Sequence, residues 1–286
     1  MKKILVPTDF SPAAQAATEV AASIARKENA ELILFHVIEL PSSSAINVEG
    51  EVLTTENWEE KVFSMKIIER TKQKLERLTT SLKGEGVDTT FEVRVGTAFH
   101  GIREFIAGET VDLIVMGTAG HSKLEEMIIG SNTEKVVRYA KCPVLTVHQS
   151  PLKKEFKNIV YATNLSADEE AFAQVVIDTR ERYNGTIHLV RVNTPVNFES
   201  DVKVKDDLNA FARKIGLNNY TINTFNHFNE EDGIIHFANS IAADLIALST
   251  HGRTGIAHVL AGSIAEDLAN HSNIPVLTYV TKRNSP

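Results

Sequence analysis

The chain has 286 residues, enough for two domains that each bury a real core, and its 43% hydrophobic and 23% charged content is that of an ordinary globular protein. A net charge of −7, from 30 basic and 37 acidic side chains, leaves no basic face or tail with which to recruit nucleic acid. A single cysteine, Cys142, excludes an internal disulfide framework and a cysteine-rich metal site.

The start, "MKKILVPTDF", has too few apolar residues before Pro7 and Asp9 for a signal-peptide core, and no apolar run of membrane-spanning length follows. A cytoplasmic protein without membrane contact is expected. "KILVPT" is a short apolar run suited to a buried parallel strand. Ser11 then reads as an N-cap and Pro12 as the first residue of a helix through "AAQAATEVAASIARKENA". "ELILFHV" is a second strand. Residues 39–60 read as a polar loop leading into a charged amphipathic helix over roughly 58–83. "VDTTFEVRV" alternates like a strand, "AFHGIREFIAGE" has helical spacing, and "VDLIVMG" is again a buried strand. A glycine-rich loop follows, then a helix over about 131–141 and a last strand, "PVLTV".

The chain then repeats itself. At an offset of 155, "KKILVPTDFS" overlays "KNIVYATNLS"; at 132, "GIREFIAGETVDLIVMGTAG" overlays "GIIHFANSIAADLIALSTHG", and "CPVLT" overlays "IPVLT". The second copy is therefore shorter in its middle, with the surplus of the first at residues 39–60. Two domains are expected, 1–150 and 151–286, joined by "QSPLKKEF". Strands alternating with helices imply, in each, a doubly wound, open, parallel five-stranded α/β sheet. In the strand order 3-2-1-4-5 a ligand crevice lies between strands one and four, at Pro7-Thr8-Asp9 and Met116-Gly117.

The loop "MGTAGHSKLEEMIIGSN" spaces Gly117, Gly120 and Gly130 ahead of Ser131 and Asn132 at a helix start. Glycines let a ligand approach the backbone, and a helix N-terminus is a phosphate site. The same residues also permit a ligand-free reading. Ser131-x-x-Glu134 and Ser263-x-x-Glu266 have capping-box spacing, and the glycines can be turn residues. Neither a Walker nor a dinucleotide fingerprint is present. Histidines 121, 251 and 258 lack metal-site spacing, Cys142 reads as a small hydrophobe, and no nucleophile elbow occurs, so neither metal ligands nor catalytic residues are assigned.

"VPTDFS", "MGTAGHSKLEEMIIGSNTEKVV" and "CPVLTV" resemble the universal stress protein family, as two tandem family domains. The resemblance implies a Rossmann-like, adenine-nucleotide-hydrolase-like fold and a cytoplasmic stress function with ATP or a related adenine nucleotide bound, magnesium or manganese entering through the phosphates. It also admits slow ATP hydrolysis, autophosphorylation or an empty scaffold. Carried over, Asp9 beside Pro7 and Thr8 holds the adenosine end, and Val37 is an apolar adenine wall. Met116 and Gly117 line base and ribose, with Gly120, Gly130, Ser131 and Asn132 around the phosphates. The second copy keeps Val192, Gly252, Gly262 and Ser263 but has Asn164 for Asp9 and Ser249 for Gly117, so its site is expected to be weak or empty. The family's pairing through final strands implies an intramolecular pseudo-dimer of the two domains, or a homodimer.

Overall fold

A computed structural model of the chain describes residues 1–39, 45–46, 52–53, 58–118, 130–149, 154–165, 169–251 and 263–281. The first half contains β1 (Lys3–Pro7), α1 (Pro12–Glu28), β2 (Glu31–Ile38), β3 (Ala45–Ile46), β4 (Val52–Leu53), α2 (Trp58–Gly84) and β5 (Thr89–Val95). It continues through α3 (Ala98–Gly108), β6 (Leu113–Gly117), α4 (Ser131–Tyr139) and β7 (Val144–Val147). The second half runs β8 (Asn158–Ala162), α5 (Glu170–Tyr183), β9 (Thr186–Asn193), α6 (Asp201–Lys214), β10 (Tyr220–Asn226), α7 (Glu230–Ser240), β11 (Leu245–His251), α8 (Ser263–His271) and β12 (Val276–Thr281). The short antiparallel pair β3–β4 stands in the stretch read as a plain polar loop.

All other strands form one ten-stranded sheet in the order β10-β9-β8-β11-β12-β7-β6-β1-β2-β5. Within each half the order is 3-2-1-4-5 and every pairing is parallel. Buried apolar residues form two layers. One holds Ile4, Leu32 and Val115 with α1 and α2, and the other holds Leu5, Ile33 and Ile114 with α3 and α4. Consecutive strand residues point to opposite faces, so both faces need apolar side chains, which is why these strands read as continuous hydrophobic runs.

The halves repeat each other in detail. Asn29 and Asn184 end α1 and α5 in the left-handed conformation, which asparagine tolerates. Asp112 and Asp244 each accept backbone N–H groups from the residues opening their half, Lys2 and Lys3 in one, Lys157 and Asn158 in the other.

The halves meet along β7 and β12, which pair antiparallel with Leu145 opposite Leu277. That register sets Leu145 against its own counterpart and crosses the flanking pairs, Val144 facing Thr278 and Thr146 facing Val276. The Thr146 hydroxyl donates to the Val276 carbonyl and the Thr278 hydroxyl to the Val144 carbonyl, both at 3.3 Å. Val144, Leu145, Val276 and Leu277 are all buried there, each worth about 1.5–3 kcal/mol over an exposed position. The pairing gives the backbone groups of both final strands partners they would lack at an open edge. Arg138 of α4 reinforces it by donating Nε and Nη2 to the two carboxylate oxygens of Glu266 on α8.

Candidate functional site

The end of β1 is built by its own polar side chains. Thr8 N–H donates to the Phe35 carbonyl at 2.9 Å, and the Thr8 hydroxyl accepts from Phe10 N–H at 3.1 Å. Phe10 lies at φ 62°, an uncommon conformation for a bulky side chain. Asp9 Oδ1 accepts from Ser11 N–H at 2.9 Å, and Ser11 caps α1 ahead of Pro12. Asp9 therefore serves the turn while lining the cleft. His36 Nδ1 donates to the Thr8 carbonyl at 2.7 Å, because a carbonyl can only accept. This bond, which the sequence did not suggest, ties β2 to the turn.

The opposite wall is β6 and α4. Gly130 N–H donates to the Thr118 carbonyl at 2.8 Å and the Thr133 hydroxyl to the Gly117 carbonyl at 3.0 Å, so both ends of the glycine loop are fastened together. The loop itself, including Gly120, lies outside the described residues. The N-cap of α4 is Gly130, at φ −64°, and Ser131 is the first helical residue. The capping-box reading is thereby corrected. The residue in the cap position has no side chain, and Glu134 bonds Arg138 instead of reaching back. Likewise Ser263 is the first residue of α8, and Glu266 is held by Arg138.

The two described glycines of this motif differ in what they make room for. A Cβ on Gly117 would lie 2.5 Å from the Ala13 carbonyl carbon and 2.6 Å from its oxygen. Its bareness lets the start of α1 pack on β6, a packing need that stands whether or not a ligand also approaches this backbone. Among the described residues a Cβ on Gly130 would meet nothing closer than 3.9 Å. Neither packing among the described residues nor backbone conformation requires glycine there.

These parts enclose a cleft of about 360 Å³ at the carboxyl ends of β1 and β6, within the roughly 300–1,000 Å³ usual for small-molecule sites. Pro7, Thr8, Asp9 and Val37 line one side; Met116, Gly117, Gly130, Ser131 and Asn132 line the other. Ala14, Ala98 and Ile102 complete it. Ala14 and Ala98 differ from their counterparts Glu169 and Glu230, a signal the repeat carries in the sequence, whereas Ile102 is matched by Ile234. Val37 is set by Gly101, where a Cβ would approach Val37 Cγ2 to 2.9 Å, so α3 lies close on β2.

The second half repeats the turn. Leu165 takes φ 64° and its N–H donates to the Thr163 hydroxyl. Its cleft, lined by Asn164, Val192 and Ser249 among others, holds only about 130 Å³. Ser263 opens α8, and Gly252 and Gly262 lie outside the described residues. Glu169, 1% exposed, fills the position equivalent to Ala14 and accepts from the Tyr161 and Thr163 hydroxyls at 3.0 and 2.6 Å. Glu230 stands for Ala98, and Ile264 and Ala265 stand for Asn132 and Thr133.

A wider groove of about 840 Å³ runs between the carboxyl ends of α3 and α4, past Phe99, Ile106 and Tyr139. It lies by the amino ends of β6 and β7, the opposite ends of these strands from the cleft. Cys142 borders it, with a thiol pushed up to about 12 mainly by burial and so held as an unreactive thiol at neutral pH. Among the described residues no group of three or more histidine, cysteine, aspartate or glutamate side chains is placed to hold a metal ion. No helix among them is long and apolar enough to cross a membrane.

Fold and clefts together define a duplicated, doubly wound α/β protein with a ligand-type crevice at each switch point. The sequence profile of the universal stress protein family matches residues 1–148 and 227–279, and the chain belongs to that family. Two universal stress proteins of Methanocaldococcus jannaschii are each 33% identical to it. One aligns over 54% of this chain and 85% of its own length, the other over 51% and 94%. The crystal structure of a universal stress protein from Archaeoglobus fulgidus covers 97% of this chain and 98% of its own at a TM-score of 0.76; at 19% identity it shows the shared fold.

Proposed function

We propose that the protein binds ATP, or a related adenine nucleotide, in the first cleft and acts in the cytoplasm as a nucleotide-responsive stress protein. The observation that carries this reading is the start of α4. Its cap residue is a glycine whose bare face meets no atom of the described residues closer than 3.9 Å, beside a cleft with an apolar wall at Val37 and Met116. N-terminal peptide N–H groups and the helix dipole favour a phosphate there. Gly120, Ser131 and Asn132 complete the phosphate end, Asp9 with Pro7 and Thr8 the ribose end, and magnesium or manganese accompanies the phosphates. Membership of the universal stress protein family supports the same assignment.

In this reading residues 1–150 form the nucleotide-binding unit. Residues 151–286 form a partner unit that docks as the other member of an intramolecular pseudo-dimer, its own pocket at Asn164, Val192, Gly252, Gly262 and Ser263 being empty. Titration calorimetry of the full chain with ATP is expected to give one site per chain; two equal sites, or none, would overturn the assignment. Because no lysine clamp or positioned general base is assigned to the cleft, turnover with added Mg²⁺ is expected far below the roughly 1–100 s⁻¹ of kinases. A phosphate-release assay reading above about 1 s⁻¹, lost in Asp9→Ala, would favour an enzyme.

A further inference from the structure

The second cleft differs from the first chiefly in charge. Glu169 takes the place of Ala14, and its buried carboxylate occupies space that is open in the first half. Glu230 takes the place of Ala98 and accepts from Asn197 Nδ2 at 2.7 Å, both residues lining the cleft. The first turn of α7 reads Glu230-Glu231-Asp232 where α3 has Ala98-Phe99-His100. Asp267 of α8 stands where α4 has Lys135, whose ammonium lies 5.9 Å over the Phe99 ring. Burial, with the neighbouring Asp267 and Asp232, pushes the Glu231 carboxyl above its ordinary value. Among the described residues of the lining the cation is Arg191, which faces Glu199 at 3.0 Å. Polar Asn132 and Thr133 have given way to Ile264 and Ala265.

We infer that Glu169 and Glu230 bar phosphorylated ligands from the second cleft, so that the duplicated chain discriminates between its two pockets by charge as well as by volume. The inference rests on the nucleotide reading of the first cleft. A carboxylate lining a partly closed cleft repels a phosphate by enough to cost roughly tenfold or more in affinity. Two of them, in a space of about 130 Å³, outweigh the attraction of one helix N-terminus. The second pocket is thus closed to anions by acquired residues, beyond the loss of Asp9 and Gly117 counterparts.

The test uses the full chain and equilibrium dialysis with radiolabelled ATP, counting bound equivalents. One variant grafts first-cleft groups alone, Asn164→Asp with Ile264→Asn. A second adds Glu169→Ala and Glu230→Ala. A third adds Glu169→Gln and Glu230→Gln instead, which keeps hydrogen-bonding partners for the Tyr161 and Thr163 hydroxyls and so guards against loss of folding. The graft alone is expected to bind as many equivalents as the wild type. The alanine pair gains one further equivalent, at least about tenfold tighter than any second binding in the graft, and the glutamine pair falls between. A second equivalent in the graft alone overturns the inference. So does an unchanged count in glutamate-free variants that melt like the wild type. If the wild type binds none and the glutamate-free variants bind one, the charge barrier stands and the reading of the first cleft falls.

Discussion

The two clefts stand on the same scaffold. Thr8 and Thr163 fix their turns by the same bond, Phe10 and Leu165 share the same left-handed backbone, and Val37 and Val192 lie against the equivalent glycines Gly101 and Gly233. Yet the cavity falls from about 360 to about 130 Å³, and two alanines of the lining become glutamates. Residues that hold strand, turn and helix together have stayed, Thr8, Val37 and Ile102 of the lining among them; the changes gather at Asp9, Ala14, Ala98, Gly117 and Asn132. After a duplication the packing constraints act on both copies, because the sheet is continuous across β7 and β12. Constraints from a ligand act only on the copy that binds it.

The sharpest way to break this comparison is at Gly130. Its backbone, at φ −64° and ψ 139°, is open to any residue, and a Cβ there meets no atom of the described residues closer than 3.9 Å. Gly130→Val is expected to remove nucleotide binding while stability stays within about 0.5 kcal/mol of the wild type. Calorimetry and thermal melting check the two halves of that statement. Retained affinity would mean that the ligand does not approach this backbone.

Gly117 is expected to behave in the opposite way. Its Cβ would be driven against the backbone of Ala13, which cannot swing aside as a side-chain tip can. Gly117→Ala is expected to cost about 1–3 kcal/mol, read as a melting temperature several degrees lower, and to weaken binding because the start of α1 moves with the turn at Asp9. Unchanged melting would show that α1 yields freely. Ser249 occupies the equivalent place in the second half; the counterpart of Ala13, Asp168, lies outside the described residues.

These two glycines also mark where the sequence stops being legible. Strand and helix boundaries follow from periodicity and punctuation: Ser11 and Pro12 open α1, and the apolar runs became β1, β2 and β6 within about two residues. The spacing of glycines announced a loop between a strand and a helix, but it carries no record of which neighbour needs the room. That is a property of packing between distant segments, here α1 against β6. Ser131 was misread as a cap because serine fills that role by default, whereas the chain turns into helix one residue earlier. His36 and Ala14 were invisible because their roles depend on the fold. Histidine became a tether to the Thr8 carbonyl. Alanine became meaningful once its counterpart, Glu169, was seen in the second cleft.

The smallest expected effect probes the joint between the halves rather than either pocket. Glu28, near the end of α1, accepts from Arg182 Nε near the end of α5. That hydrogen bond, with the attraction of the guanidinium, holds the Glu28 carboxyl below its ordinary value of 4.5 despite the opposing effect of burial. A carboxyl with a lowered folded-state pKa stabilises the fold at pH above its unfolded value, and the contribution is lost as pH falls through the folded value. Both groups retain solvent contact, so the pair is worth no more than about 1 kcal/mol at neutral pH, or roughly 2–4 °C of melting temperature. Arg182→Met is therefore expected to lower the midpoint slightly at pH 7, and the gap to the wild type is expected to close as acid titrates Glu28 below 4.5. High salt narrows the same gap. A difference that stays constant from pH 7 into the acid limb would assign the loss to packing of the arginine stem beside Tyr183. The joint would then be held by burial alone, like the strands it accompanies.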